Sequence, residues 1–184
     1  MRNSTRVSYE ERFVQALAAL VDRDDRAALA ALRRGLGKPP GTAPELFPYV
    51  VPLLPANPSP ALERASYLVA ALFALHPVNW ERPADDARST DLGASFRLLA
   101  LRSSNSAGVE RRFVHLLLAH EEELPVHLRH CIGLFKANDV PVDWARLLRD
   151  LPWWDREDRA VQRRWARSYY ESVSGGEEET GSES

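Results

Sequence analysis

Apolar residues recur along most of this chain at intervals of three or four positions, which is the spacing of one face of an α-helix. The first such set begins after a Ser8–Glu11 capping box and consists of Phe13, Leu17, Leu20 and Val21. No run of useful length alternates between apolar and polar residues as a half-buried strand does. The pattern therefore predicts an all-α fold of about nine helices.

Polar residues and prolines mark where most of these helices are expected to begin. A side-chain oxygen at the N-cap accepts a hydrogen bond from a free backbone N–H, and proline fits the first helical turn. Gly35, Gly37 and the Pro39–Pro40 pair are expected to end the second helix. The expected starts of the later helices are Asp24 or Asp25, Pro44, Ser59 with Pro60, Pro125, Asp143 and Asp155.

The helical periodicity stops between His76 and Asp91, where prolines and polar residues predict a long exposed connection. We therefore expect two small helical bundles, residues 1–90 and residues 91–173, on either side of it. Residues 174–184 consist only of Gly, Ser, Thr and Glu, so they offer nothing to bury. Their composition predicts a disordered acidic C-terminal tail.

The net charge of the chain, −2, hides an uneven distribution. The tail contains four glutamates and no basic residue, so the remainder carries 24 basic against 22 acidic side chains. All basic residues except Lys38 and Lys136 are arginines, which form bidentate hydrogen bonds to phosphate and stack on bases. A GC-rich coding bias would also raise the arginine content together with alanine and proline. Composition alone therefore does not establish nucleic-acid binding.

Cysteine content and hydropathy limit the cellular setting of the protein. Cys131 is the only cysteine, so no intramolecular disulfide can form, which favours a reducing compartment. The first 12 residues are polar and charged, unlike a signal peptide. The longest apolar run, residues 67–75, is too short to span a bilayer. We therefore expect a cytoplasmic protein without a membrane partner.

The last predicted helix carries a conspicuous charge pattern. Four arginines recur at spacings of three, four and four residues, so on one helix they would form a continuous stripe beside an aromatic face. Such a stripe suits phosphates or acidic partners, and it is equally typical of a solvated face that pairs with nearby carboxylates. The stripe consists of Arg156, Arg159, Arg163 and Arg167, and the aromatic face of Trp154, Val161, Trp165, Tyr169 and Val173.

Sequence motifs of catalysis and cofactor binding are absent. The chain has no glycine-rich phosphate loop, no nucleophile elbow and no zincin helix. One group of potential metal ligands does occur, although its spacing matches no established zinc pattern. It consists of His115, His120, His127, His130, Cys131 and the glutamates at 121–123. We expect no enzymatic activity, no metal and no cofactor.

Basic clusters on successive helices point to a different kind of function. Arg33, Arg34 and Lys38 lie at the end of the second helix, where they would also compensate the helix dipole. The Arg111–Arg112 pair lies near the start of the sixth helix, where positive charge is unfavourable, and this indicates a role other than stability. Further basic residues on neighbouring helices are Arg97, Arg102, Arg129 and Lys136. Together these clusters predict a shared groove that binds nucleic-acid phosphates.

Several short motifs resemble those of the CasB family, the small subunit of the type I-E CRISPR Cascade surveillance complex. The motifs are, in order, Ala28–Gly37, Glu110–Phe113, Val142–Trp144, the Trp153–Trp154 pair and the aromatic residues Trp165 and Tyr169–Tyr170. Each is weak alone, but their order and spacing are specific, and the match extends from about Ser8 to Val173. The chain departs from the family pattern at the acidic tail and at His130, where the family suggests a second arginine after Arg129.

The resemblance implies an all-helical, two-domain protein without enzymatic activity. Two copies are expected beside the crRNA backbone subunits, where they help to hold the target-strand heteroduplex and the displaced strand of the R-loop. Expected partners are the other Cascade subunits, a second copy of the chain, crRNA, and the target and displaced DNA strands. On matching positions, the expected nucleic-acid-binding residues are Arg33, Arg34, Arg97, Arg111, Arg112, Arg129 and Arg156.

The alternative function is a helical adaptor whose arginine clusters bind acidic protein surfaces. The two functions differ in one measurable property, which is binding to arbitrary DNA or RNA. Phosphate contacts release counterions, so such binding weakens as salt rises. A protein adaptor would not show it.

Overall fold

The structure, a computed structural model, describes residues 7–80 and 90–170. Within these residues it has nine α-helices, no strand and one isolated bridge, and none of the helices is long and apolar enough to cross a membrane. The all-α prediction is confirmed, whereas the predicted disordered tail (174–184) lies outside the described residues. The helices are α1 (Tyr9–Asp22), α2 (Arg26–Arg33), α3 (Phe47–Val50), α4 (Pro60–Leu75), α5 (Leu92–Arg102), α6 (Ser106–Leu118), α7 (Leu124–Ala137), α8 (Trp144–Asp150) and α9 (Ala160–Tyr170). Short 3₁₀ helices occur at Pro44–Leu46, Val51–Leu53, Glu121–Glu123 and Leu151–Trp153.

Most helices begin where the capping residues predict. The Ser8 hydroxyl accepts a hydrogen bond from Glu11 N (3.2 Å), and the Glu11 carboxylate accepts one from Ser8 N (2.7 Å), which completes the capping box. Asp25, Ser59 and Asp143 cap α2, α4 and α8 through their side-chain oxygens. Local hydrogen bonding therefore sets these boundaries.

The predicted start of the last helix at Asp155 is wrong, because α9 begins at Ala160. The preceding residues form turns, in which Arg159 has a left-handed backbone conformation (φ 48°). The Asp158 carboxylate accepts a hydrogen bond from Ala160 N (3.1 Å). Arg156 and Arg159 therefore lie outside the helix, and the predicted four-arginine stripe is wrong.

Contacts with the end of α6 hold the turns before α9 in place. The buried Trp154 indole N–H donates to Ala119 O (2.9 Å), and the Arg159 guanidinium donates to Leu117 O. The predicted aromatic face of α9 is buried at Val161, Trp165 and Tyr169. That part of the prediction is confirmed, whereas Val173 lies outside the described residues.

Buried side chains from both predicted bundles form one continuous hydrophobic cluster. α1 packs against α8, and α4 packs against α7 and α8, so helices before residue 80 share a core with helices after residue 90. The largest fully buried aromatic side chains are Trp144, Trp154, Trp165, Phe13, Phe73, Phe96, Phe113 and Phe135. The division of the chain into domains at residue 90 stays a prediction.

The two end residues of the predicted exposed connection, His76 and Asp91, are buried, so the prediction is wrong for them, whereas residues 77–79 are exposed as predicted. His76 is 3% exposed, and its Nε2 lies 2.7 Å from Val140 O in the loop after α7. Asp91 is 1% exposed and caps α5. Hydrogen bonding of both side chains makes their burial possible. Residues 81–89 lie outside the described part of the chain.

Close packing and two buried carboxylates position α9 along α5. A Cβ added to Gly93 of α5 would lie 1.9 Å from Trp165 O, so the two backbones meet at a distance that only glycine permits. Asp150 Oδ2 accepts a hydrogen bond from the Trp165 indole (2.8 Å), and Asp91 Oδ2 accepts one from the Ser168 hydroxyl (2.8 Å). These contacts fix α9 against α5 and the end of α8.

Candidate nucleic-acid interface

A cleft of about 430 Å³ lies between α6 and α7, and we call it the α6–α7 cleft. Residues spaced three and four apart line it, so each helix contributes one face. α6 contributes Gly108, Arg111, Arg112 and His115, and α7 contributes His127, His130, Cys131 and Leu134. None of these side chains is acidic, and two are permanently charged guanidinium groups. The cleft is therefore positively charged.

Both arginines of the cleft are exposed and accessible to a ligand. Arg112 Nη1 donates to Gly108 O (3.1 Å), one turn back on α6, which leaves its other N–H groups for a ligand. The Arg111 side chain makes no hydrogen bond or ion pair with any residue that the structure describes. Such guanidinium groups can bind phosphate oxygens through two parallel hydrogen bonds.

Arg111 and Arg112 lie too far from the start of α6 for the helix dipole to disfavour them, so the prediction based on the dipole is wrong. α6 begins at Ser106, and the side chain of its N-cap, Asn105, accepts a hydrogen bond from Gly108 N (2.9 Å). The two arginines therefore lie in the second turn, whereas the effect of the dipole falls off within the first turn. A binding role is indicated instead by the exposure of both side chains and by the lack of an acidic partner within residues 7–80 and 90–170.

The potential metal ligands that the sequence contains come together only in part. Cys131 and three of the histidines line the α6–α7 cleft, whereas His120 and the glutamates at 121–123 lie outside its lining. Among the described residues, no group of three or more potential ligands is arranged to hold a metal ion. Burial raises the pKa of the Cys131 thiol to about 12, and the nearby Arg112 opposes this only in part. The free thiol therefore stays protonated at neutral pH, which disfavours a nucleophilic role.

A second basic group lies where α7 passes the end of α2. Arg34 is exposed and has no partner among the described residues, whereas Arg33 Nη1 donates to Ala74 O (3.2 Å) in the last turn of α4. The side chain of Arg129 on α7 extends to the turn after α2. Its Nη1 lies beside Gly37, only 2.9 Å from the position that a Cβ on Gly37 would take. The structure thus places Arg129 beside the cluster at the end of α2.

Arg97 and Arg156 are not part of the lining of the α6–α7 cleft. Arg97 is half-buried on α5. Arg156 lies in the turns before α9, with its Nη2 3.3 Å from the Asp158 carboxylate and its guanidinium 5.5 Å from the centroid of the Trp153 ring. These contacts compete with phosphate for the Arg156 guanidinium. The geometry therefore favours Arg156 less than Arg111 as a phosphate-binding residue.

The structure places the predicted basic clusters in two separate groups on different faces of α7, so they do not line one shared groove. Arg111 and Arg112 face the α7 histidines, and Arg129 faces the end of α2. His127 and His130 were not among the residues predicted to bind nucleic acid, although they face the two arginines across the α6–α7 cleft. Their spacing of three was the available signal, since it matches the spacing of the α6 residues across the cleft. Nucleic-acid binding by these residues stays a prediction.

Comparisons with known proteins identify the family of the chain. A family model described as CRISPR-associated protein Cse2 matches residues 28–170. The Cse2 protein of Thermus thermophilus is 39% identical over 170 residues, which cover 91% of this chain and 94% of that protein. The crystal structure of M. ruber CasB is 34% identical with a TM-score of 0.75, and the match covers 91% of this chain and 95% of that chain. A chain in a CRISPR RNA-guided surveillance complex is 30% identical with a TM-score of 0.68, and the match covers 88% of this chain and 95% of that chain.

The match to the family model spans most of the described residues, including α6, α7 and the turns before α9. The similarity to the Thermus protein extends over almost the whole of both chains. The all-helical architecture agrees with the crystal structure of the M. ruber protein. On these grounds the chain belongs to the Cse2 (CasB) family of CRISPR-associated proteins.

Proposed function

We propose that the chain is the non-catalytic small subunit of a type I-E Cascade complex and contacts nucleic-acid backbone through its arginine clusters. It stabilises the crRNA–target heteroduplex and the displaced strand of the R-loop in antiviral defence. Its partners are the other Cascade subunits, a second copy of itself, crRNA and both DNA strands, in the cytoplasm. Family membership and the similarity to a chain of an RNA-guided surveillance complex support this assembly.

The main support for the proposed nucleic-acid contact is the composition of the α6–α7 cleft. Arg111 and Arg112 are exposed there, and among the residues that the structure describes no carboxylate lines the cleft to neutralise them. In an RNA-guided complex the guide supplies the sequence information, so the protein needs only contacts to phosphates. Arginines on packed helices provide such contacts without reading a base.

Modest contacts are sufficient for this role. Exchanging a DNA duplex for an RNA–DNA heteroduplex is nearly balanced in free energy, so a few protein contacts shift the equilibrium. A hydrogen bond to a charged group contributes about 1.5–3 kcal/mol. The net charge of −2 fits a subunit that binds nucleic acid weakly alone and more strongly in an assembly, where the effective concentration is high.

The double variant Arg34→Ala with Arg112→Ala should fold and assemble normally, yet retain target DNA less well. Both side chains are exposed, and exposed substitutions change stability by about 0.5 kcal/mol or less. Removing each arginine–phosphate hydrogen bond should weaken target binding by about 1 kcal/mol or more. The measurement is a target-DNA titration on the reconstituted complex, beside melting curves of the free subunits.

A matched control removes Arg23, which follows α1, and Arg26, the first residue of α2. Arg23 and Arg26 are both exposed and lie outside the two basic groups, so Arg23→Ala with Arg26→Ala removes the same charge without the proposed contacts. The control should bind target DNA more tightly than the Arg34–Arg112 variant. Equal affinities would show that the two arginines act only through net charge or do not contact nucleic acid.

A further inference from the structure

Three histidines face the same cleft as the two exposed arginines. His115 projects from α6 about one turn after Arg111 and Arg112, and His127 and His130 project from α7 on the opposite side. His115 and His130 are exposed, and His127 is half-buried. None of the three side chains makes a hydrogen bond or ion pair with a residue that the structure describes. The imidazole rings are therefore accessible to a ligand in the cleft.

Histidine differs from arginine in the chemistry that it brings to such a site. A histidine side chain ordinarily gains a proton between about pH 5 and pH 8, and the charged ring donates hydrogen bonds from both nitrogens. Neighbouring positive charge opposes that protonation, whereas a negative ligand favours it. A phosphodiester between the α6 arginines and the α7 histidines would supply this negative charge.

We propose that His115, His127 and His130 complete an anion site in the α6–α7 cleft and bind nucleic-acid phosphate in their protonated form. This inference rests on the proposed function and names the α7 residues that hold the phosphate opposite Arg111 and Arg112. Binding then takes up protons, so the affinity for phosphodiester backbone rises as pH falls. The slope of log affinity against pH gives the number of protons taken up.

The charged groups around the cleft do not compete with the ligand. α4 packs against α7 and α5 packs against α6, and neither contributes a residue to the lining. The 3₁₀ helix before α7 carries Glu123, four residues before His127, but its carboxylate accepts a hydrogen bond from His120 N (3.2 Å). Glu121 in that helix is paired with Arg64 of α4 (2.6 Å). Within the described residues, the lining of the cleft offers no carboxylate to the histidines.

The experiment compares binding of a fluorescent oligothymidylate by the full chain at about pH 6 and about pH 8, at constant ionic strength. Binding by the wild-type chain should be about tenfold tighter at the lower pH, as expected if binding takes up about half a proton on average across these two pH units. The triple variant His115→Gln, His127→Gln, His130→Gln should lose most of this difference. His120→Gln, outside the cleft lining, is the matched control and should behave like the wild type.

The single variant His130→Gln provides a second test in case the triple variant does not fold, because His130 is exposed. It should reduce the pH dependence of binding in part. If wild type and triple variant bind with the same pH dependence and the same salt dependence, the inference about the histidines is wrong while the proposed function stands. If the wild type binds at neither pH, in the free state or in the reconstituted complex, the proposed phosphate contact is wrong as well.

Discussion

Gly93→Ala should lower the free energy of unfolding by about 3 kcal/mol or more, because overpacking between two backbones cannot be relieved by a rotamer. The added Cβ would lie 1.9 Å from Trp165 O and 2.7 Å from the carbonyl carbon of Trp165. α5 and α9 would have to separate, which would expose Trp165 and Phe96, both fully buried in the native packing. The favourable helix propensity of alanine over glycine, at most about 1 kcal/mol, does not offset this loss.

Gly133→Ala is the matched control for this prediction. Gly133 lies inside α7, and a Cβ added there would meet nothing within 4 Å. Helix propensity should therefore act alone and stabilise the protein by up to about 1 kcal/mol. Urea unfolding of both variants measures the two effects. Similar midpoints for both variants would contradict the close approach of α5 and α9.

Asp150→Ala should lower the free energy of unfolding by about 3–5 kcal/mol, which is the range for removing one partner of a buried charge pair. Asp150 is 3% exposed, and its Oδ1 accepts hydrogen bonds from the guanidinium groups of Arg146 (3.3 Å) and Arg164. Its Oδ2 accepts the bond from the Trp165 indole (2.8 Å). The substitution leaves two half-buried arginines close together and an indole N–H without an acceptor. α9 would lose its strongest polar attachment to α8.

Asp155→Ala is the control for this second prediction and also tests the start of α9. Asp155 is exposed, and the helix begins five residues after it. Its removal should change the free energy of unfolding by about 0.5 kcal/mol or less. Replacing a genuine N-cap residue by alanine would lower the free energy of unfolding by about 1 kcal/mol. A loss of that size at Asp155, or a loss below about 1 kcal/mol at Asp150, in denaturant unfolding would contradict the structure around α9.

Local chemistry explains which helix boundaries the sequence could predict. Ser8, Asp25 and Asp143 cap helices through hydrogen bonds to backbone groups three residues away, so the information lies within a few positions. The start of α9 was missed because it depends on distant contacts. Trp154 and Arg159 bond to carbonyls at the end of α6, and no local pattern indicates that the chain turns there.

The candidate site was predictable to the extent that it depends on single helices. The exposure of Arg34, Arg111 and Arg112 follows from their positions beside the apolar faces of α2 and α6. The pairing of α6 with α7, which turns two helix faces into one cleft, is a tertiary arrangement that periodicity does not specify. For the same reason the sequence could not show that Arg129 reaches the turn at Gly37.

The most direct test of the proposed function is co-purification of the chain with crRNA and the other Cascade subunits from the same source. If the account is correct, the tagged chain elutes with the guide RNA and the remaining subunits as one complex, with two copies of the chain in each. Elution of the chain by itself, separate from an RNA-containing complex that forms without it, would contradict the account.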